Sequence, residues 1–309
     1  MTPKISIILS IFKPNLDHLK KTIESIQAQT FSDYEIIIIK DDDEDSTLEV
    51  INKVTMKLKN FILIDNSKNI GLVASLNKGL LMAKGEYIAR IDVGDWWHHE
   101  KLKIQYRKLI KDNLVLIGTQ VNFFSTDLEI IKQHQVPILD SEIRVSLENG
   151  KNPFVHSSVL FKKIENVFYN ENAVHTEDFE LWCRYYFFGK MSNLSFLFTN
   201  YIVDMQSITS SKRFLMYVNA TDVYINFLKY INKADKQVHN NPYFIDTPKK
   251  TMNYFEKYFS YYFSLANYER LNSFKLKFLI YIIFAFLFKP QVLGIFLKRK
   301  IAKLYYKIK

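Results

Sequence analysis

The chain is poor in cysteine, proline and glycine, with one, seven and eight of these residues among 309. The single cysteine, Cys183, excludes an intrachain disulfide and fits a reducing compartment. Because it lies in an apolar, aromatic run with no neighbouring base, we interpret it as a buried structural thiol rather than a nucleophile. The few glycines form neither a GxGxxG nor a Walker A motif after any predicted strand, which argues against a dinucleotide dehydrogenase or a P-loop nucleotidase.

From the sequence we expect neither a secretion signal nor a membrane-spanning helix. The N-terminal apolar stretch ISIILSIF has only Lys4 before it and no small-residue cleavage site after it, so we expect the protein to start and stay in the cytosol. The uncharged run FLIYIIFAFLF at residues 278–288 holds eleven residues. A helix needs about 20 apolar residues to cross a bilayer, so this run is too short.

Positive charge is concentrated in the last third of the chain. Residues 206–309 hold 18 Lys and Arg against five Asp and Glu, whereas the first 205 residues hold 24 against 27. From Arg270 onward there are ten basic residues and no acidic one, interleaved with aromatic and aliphatic side chains. This pattern favours an anionic membrane surface as a partner, and without a recognition motif we expect no nucleic acid. We predict that residues 274–309 lie on a membrane surface, with burial in the fold as the alternative.

Predicted strands and helices alternate along the first hundred residues. The predicted strands are residues 5–12, 34–39, 61–64 and 87–91, and the helices between them are residues 16–26, residues 47–58 and a segment through Leu76 and Leu80. Further on, we predict helices at 100–110 and 141–147 and strands at 114–124 and 159–161. The alternation indicates parallel strands joined by right-handed crossovers. The sequence therefore predicts an α/β fold with a mostly parallel central sheet flanked by helices.

Carboxylates follow two of these strands. Asp92 and Asp95 come directly after residues 87–91, and a run of acids from Asp41 to Asp45 follows residues 34–39. In an open α/β sheet, ligands bind outside the carboxyl ends of the strands, where carboxylates can hold a divalent cation against a diphosphate. A solvated turn or a helix cap is the alternative interpretation of both groups.

Four sequence blocks resemble a known family. They are SIILSIFKPN, QTFSDYEIIIIKDDDEDST, NIGLVASLNKG and GEYIARIDVGDWWHHEKL. In this order and spacing they are similar to the nucleotide-binding half of family 2 glycosyltransferases, which share the GT-A fold. The resemblance implies a GT-A domain over residues 1–205, with a nucleotide-binding half at 1–105 and an acceptor half at 106–205. A helical, basic and aromatic region follows at 206–309.

The resemblance also assigns residues to a nucleotide-sugar site. Six residues are expected to contact the donor: Ser10, Phe12, Asp41, Arg90, Asp92 and His156. The first three are expected at the nucleotide base, and Asp92 at the ribose, diphosphate and metal. From the residues alone, His156 is also compatible with a core or turn histidine.

One position departs from the family pattern. Gly94 stands where the pattern has an acidic metal ligand, and glycine has no side chain that binds a metal. Three outcomes are open: Asp95 takes the ligand role, Asp92 holds the metal alone with the diphosphate and waters, or no metal binds tightly. We predict a divalent metal, Mn²⁺ or Mg²⁺, at Asp92 and Asp95, because a glycine lets the backbone turn closely and re-aim the next side chain.

A second acidic motif lies in the segment TEDFELW. From the residues alone, two adjacent acids at a helix start, Glu177 and Asp178, are interpreted as partners of the helix dipole in preference to catalysts. The segment is similar to the family's ED motif, in which an aspartate is the catalytic base. The resemblance therefore implies that Asp178 is the base and that Glu177 supports it.

The resemblance implies an inverting glycosyltransferase whose donor is a nucleoside-diphosphate sugar, with uridine as the nucleoside. The basic, aromatic C-terminal region adds the expectation of surface polysaccharide biosynthesis, with a glycan or lipid-linked oligosaccharide as acceptor at the inner face of the cytoplasmic membrane. A catalytically degenerate, membrane-associated nucleotide-sugar-binding protein is the alternative that Gly94 keeps open. A nucleotidyltransferase is a further alternative, against which the glycine-free segment FKPNLDHLKK argues.

Overall fold

The computed structural model describes residues 2–56, 58, 60–203 and 213–233. In these ranges the strands are β1 (Ile5–Ile11), β2 (Tyr34–Lys40), β3 (Phe61–Asp65), β4 (Tyr87–Arg90), β5 (Trp96–Trp97), β6 (Leu114–Phe124), β7 (Ile130–His134), β8 (Leu160–Lys162) and β9 (Lys190–Ile202). The helices are α1 (Leu16–Gln27), α2 (Asp45–Thr55), α3 (Leu72–Met82), α4 (Lys101–Lys111), α5 (Asp140–Glu148), α6 (Glu177–Phe188) and α7 (Arg213–Lys233).

The strands form one mixed sheet in the order β3-β2-β1-β4-β8-β6-β9-β5, with β7 paired to β6. The first four strands of the chain are mutually parallel, as the alternation predicts. Strand β8 runs antiparallel between β4 and β6, and β6 and β9 are parallel. The α/β architecture is therefore confirmed, and its antiparallel insertion joins the two halves of the sheet.

Continuous burial explains why β1 and β2 form where the sequence predicts them. Nearly every residue of both strands is buried, which suits interior strands of a parallel sheet covered by helices on both faces. Helix α1 begins where Asn15 accepts hydrogen bonds from the backbone N–H groups of Asp17 and His18. Its apolar stripe, including Leu19 and Ile23, is buried against this sheet.

The chain divides into two compact units. Among the described residues, the first comprises 2–56, 58, 60–147, 151–169 and 181–203, and the second comprises 148–150, 170–180 and 213–233. Helix α7 is the described part of the predicted C-terminal helical region, whereas the segment 274–309 lies outside the described residues. None of the helices in the described ranges combines the length and apolarity needed to cross a bilayer.

Candidate active site

Parallel pairing brings the ends of β1, β2 and β4 to one edge of the sheet. In the register of these strands, Ser10 lies beside Ile39, and Ile8 lies beside Arg90. Asp41 follows β2 directly, and its backbone N–H donates to the carbonyl of Ile11 over 2.8 Å. The structure therefore brings three of the predicted donor residues, from three separate segments, to the same edge. Phe12 follows β1 and is 51% exposed.

The Asp41 carboxylate is fixed by the loop that precedes α3. One oxygen accepts hydrogen bonds from the Asn66 side-chain amide at 3.0 Å and the Ile70 N–H at 2.8 Å, and the other accepts from the Gly71 N–H at 3.0 Å. A carboxylate has about four lone-pair positions, so three donors leave it one acceptor position. Asp41 is thus a rigid, buried acceptor rather than a solvated turn residue.

The neighbouring Asp42 has a structural role instead. Its carboxylate accepts from the Lys13 N–H and the Thr47 hydroxyl, both at 2.9 Å, and lies 3.3 Å from the Lys40 ammonium. Burial raises the pKa of Asp42, but these hydrogen bonds outweigh it and the pKa is lowered. Asp42 therefore stabilises the turn after β2.

A buried ion pair lies at the end of β4. Arg90 is buried and forms a bidentate pair with Asp92, whose side chain is 38% exposed. Burial lowers the pKa of Arg90, but the negative charge of Asp92 outweighs this effect and the pKa is raised. The hydroxyl of Ser157 lies 3.4 Å from Arg90 Nη1 and donates to Asp92 Oδ2 over 3.3 Å. The site therefore holds a permanent positive charge beside an accessible carboxylate.

Asp95 lies in the same turn but is only 2% exposed. Its Oδ1 accepts from the Ile202 N–H over 3.0 Å, while Oδ2 is buried without a hydrogen-bond partner in the described structure. Burial, followed by the charge of Asp92, raises the pKa of Asp95 well above its ordinary value. Helix α1 holds this turn, because the Thr22 hydroxyl accepts from the Gly94 N–H at 2.9 Å and donates to the Asp95 carbonyl at 2.8 Å.

The two carboxylates fit a divalent cation in part. The unpartnered Asp95 oxygen and the partly exposed Asp92 carboxylate, which also pairs with Arg90, are hard ligands of the kind that Mg²⁺ and Mn²⁺ take. Such ions are commonly held by one or two carboxylates together with substrate phosphates. Within the described ranges, no group of three or more His, Cys, Asp or Glu residues could hold a metal unaided. Gly94 has φ of +98°, a conformation that glycine tolerates best.

His156 begins a 3-10 turn, His156–Ser158, next to this pair. Burial, and then the positive charge of Arg90, lowers the pKa of His156 well below 6.5, so the imidazole is neutral at neutral pH. Its Nε2 forms a 2.8 Å hydrogen bond with the Tyr169 hydroxyl. The side-chain amide of Asn77 bonds both the N–H and the carbonyl of Tyr169, at 2.8 and 2.9 Å. Sequence reasoning missed these supporting residues, although Asn77 lies within the NIGLVASLNKG block.

The predicted catalytic acids occupy the start of α6, in the second unit. Glu177 is buried, and Asp178 Oδ1 accepts from the Phe179 N–H over 2.7 Å. This placement agrees with the dipole-partner interpretation of the acidic helix start. The catalytic roles of Glu177 and Asp178 remain predictions.

Comparison with known proteins gives the family. The profile of "Glycosyl transferase family 2" matches residues 6–172, more than half of the chain. The chain belongs to this family of glycosyltransferases. The match covers the strand-end residues and His156 and ends five residues before Glu177, so the assignment of the acidic motif rests on its local resemblance.

Several curated glycosyltransferases are related to this family 2 chain. An uncharacterised glycosyltransferase of Methanocaldococcus jannaschii is 27% identical over 186 residues, which are 59% of this chain and 64% of that protein. The O-antigen biosynthesis glycosyltransferase WbnJ of Escherichia coli is 28% identical over 190 residues, 58% of this chain and 70% of that protein. The chain thus spans less than two thirds of the archaeal relative.

Solved structures share the fold of this family 2 chain. Staphylococcus aureus TarS 1–349 in complex with UDP-GlcNAc has a TM-score of 0.56 at 16% identity, covering 99% of this chain and 92% of that one. The mannosyltransferase of Pyrobaculum calidifontis in complex with GDP-Man and Mn²⁺ has a TM-score of 0.54 at 11% identity, covering 100% and 87%. The predicted GT-A fold class is therefore confirmed.

Proposed function

We propose that this glycosyltransferase moves a sugar from a UDP-sugar, with inversion, to a glycan or lipid-linked oligosaccharide in surface polysaccharide biosynthesis. The observation that carries the proposal is the convergence of Asp41, Arg90 and Asp92 at one sheet edge. A fixed acceptor and a buried cation at that edge suit the two ends of a nucleoside diphosphate. A relative named for O-antigen biosynthesis and a structural neighbour with bound UDP-GlcNAc support the choice of pathway class and donor.

Each strand end has a defined task in donor binding. Asp41 accepts a hydrogen bond from an N–H of the base. Three neighbouring donors hold its carboxylate in one orientation and leave one acceptor position for this bond. Arg90 remains protonated throughout and stabilises negative charge on the diphosphate as it leaves. His156, neutral and bonded at Nε2 to Tyr169, presents its other ring nitrogen as an uncharged hydrogen-bonding group.

A divalent cation is part of the proposal. Asp92 and Asp95 would hold it, with the unpartnered Asp95 oxygen as the second protein ligand. When bound, such an ion neutralises charge that develops on the departing diphosphate.

The bond changes follow the chemistry of an inverting transfer. Asp178 takes the proton of the acceptor hydroxyl while that oxygen attacks the anomeric carbon of the sugar. The bond from this carbon to the diphosphate breaks on the opposite face, so a glycosidic bond forms with inverted configuration and UDP is released. Glu177 supports the base at the start of α6.

Calorimetric titration with UDP, with and without Mn²⁺, tests the donor site. We expect the wild type to bind UDP more tightly with the metal, and Asp92→Ala to lose at least about tenfold in UDP affinity. Mutating a residue that only hydrogen-bonds a metal ligand already costs about this much in affinity, and Asp92 is proposed as a ligand itself. Asp127→Ala, which removes an exposed carboxylate, is the matched control. UDP binding without any transfer to acceptors would favour the degenerate binding protein, and an absence of UDP binding would refute the donor assignment.

We also propose that the enzyme works on an anionic membrane surface. The support is the run of ten basic residues without an acidic one from Arg270 onward. Co-sedimentation with anionic liposomes should retain the full chain and fall sharply for a chain that ends at residue 273. Equal sedimentation of the two chains would contradict the proposal, and liposomes of zwitterionic lipid provide the control.

A further inference from the structure

Lys101 places a cationic group in the core of the first unit. Its side chain is fully buried in the first turn of α4, and burial lowers its pKa well below 10.5. A cation near a helix N-terminus also opposes the helix dipole. In the described structure its ammonium contacts Gln105 and Trp97 rather than a carboxylate. An apolar side chain of this length would avoid these costs, so the ammonium must contribute contacts that an apolar group cannot make.

The ammonium orients two side chains. It donates to Gln105 Oε1 over 2.8 Å and lies 3.9 Å from the centre of the Trp97 ring. Because lysine only donates, its bond to Oε1 leaves the amide NH₂ of Gln105 to face the other way. That group donates to the carbonyls of Ser158, at 2.9 Å, and Ile117, at 3.1 Å.

The same two side chains hydrogen-bond to backbone carbonyls of the turn His156–Ser158. Trp97 Nε1 donates to the carbonyl of Ser157 over 2.8 Å, and Gln105 binds the next carbonyl along the chain. On its other side, the turn contacts the donor site. The Ser157 hydroxyl donates to Asp92 Oδ2 and accepts from the Asp92 N–H, both over 3.3 Å.

We propose that Lys101 is a positioning residue of the donor site, which acts through Trp97 and Gln105 on the turn and through Ser157 on Asp92. The link from Lys101 to the turn stands on the contacts above. The effect on donor binding rests on the proposed function, because it requires Asp92 to contact the diphosphate.

Nucleotide binding tests the second part. Lys101→Met keeps the length of the side chain and removes its charge, and Lys103→Met, on a partly exposed face of the same helix, is the matched control. We expect Lys101→Met to bind UDP about tenfold more weakly, as for other residues that orient a ligating group, and to bind uridine as the wild type does. The base is held at Asp41, whose carboxylate is fixed by Asn66, Ile70 and Gly71 rather than by a hydrogen bond from the turn, so this selectivity separates positioning from general damage. Unchanged UDP affinity, or equal losses for UDP and uridine, would overturn the proposal.

Ser157→Ala provides a milder variant in which Lys101 stays in place. It is expected to show the same selective loss of UDP affinity, and the double variant with Lys101→Met should lose no more than the weaker-binding single variant. Additive losses would show that the two residues act independently. Ser157→Ala leaves the buried Lys101 side chain in place, and wild-type UDP affinity in this variant alone would overturn the proposal.

Indole hydrogen exchange tests the first part without any nucleotide. The chain has three tryptophans, and Trp97→Phe assigns the indole N–H signal of Trp97 by NMR. Lys101→Met should increase the exchange rate of this N–H at least about tenfold, since the bond to Ser157 loses its support. An unchanged rate would refute the link. If the wild type binds no UDP while exchange still responds, the proposed function fails and the link between Lys101 and the turn stands.

Discussion

The variant Asp178→Asn is expected to transfer sugar about 10²–10⁴-fold more slowly than the wild type, while it binds UDP with unchanged affinity. Asparagine keeps the Oδ1 acceptor, so the 2.7 Å hydrogen bond from the Phe179 N–H at the start of α6 is retained. An amide cannot take the proton of the acceptor hydroxyl, and the loss should therefore appear in kcat rather than in KM. Transfer assays with UDP-sugars, combined with UDP calorimetry, measure both quantities.

The exposed carboxylate of Glu171 provides the control for this variant, because it lies in the same segment of the second unit. Glu171→Gln should transfer sugar at the wild-type rate. Wild-type turnover by Asp178→Asn would remove Asp178 from the role of base. A large loss in Glu177→Gln in the same experiment would then assign the role to Glu177.

The second large effect is expected for Arg90→Met, with a loss of about 10²–10³-fold in kcat/KM. Arg90 is a buried cation that pairs with Asp92 and lies beside the proposed diphosphate position. Its removal takes away the charge that stabilises the leaving group, leaves Asp92 without its ion-pair partner and raises the pKa of Asp95 further, because Arg90 lowers it. Because Asp92 is 38% exposed, water solvates part of its unpaired charge, and we expect the protein to remain folded.

Two variants sharpen this experiment. Arg107→Met removes an exposed arginine from α4 and should leave kcat/KM unchanged. Arg90→Lys keeps the charge but not the bidentate geometry, so it should recover only part of the activity. Full activity in Arg90→Met, with thermal stability equal to that of the wild type, would contradict the assigned role.

The two interior strands at the start of the chain are the clearest to predict from sequence. Strands β1 and β2 are continuous apolar runs in the sequence, because both faces of an interior parallel strand are covered by helices and neither face contacts water. Strand β9 was missed, since its segment KMSNLSFLFTNYI mixes polar and apolar residues on two partly covered faces. Strand β5 has only two residues and owes its existence to pairing with β9.

Within the site, the sequence by itself determined the residues that follow each strand. Asp41, Arg90 and Asp92 are placed by local order alone, since a residue that ends a parallel strand lies at the ligand-binding edge of the sheet. Only the tertiary structure decided what each carboxylate contacts. Asp95 bonds a backbone N–H 107 positions away, and Asp92 bonds a hydroxyl 65 positions away.

Lys101 shows the same division. From the sequence it is one of several lysines on a basic amphipathic helix, and only the fold places its ammonium against Trp97 and Gln105. Periodicity and propensity report on neighbours along the chain, and so they fix strands, helices and the acids at their ends. Burial, charge pairing and hydrogen-bond partners depend on segments far apart in sequence, and their energies exist only once the sheet has brought those segments together.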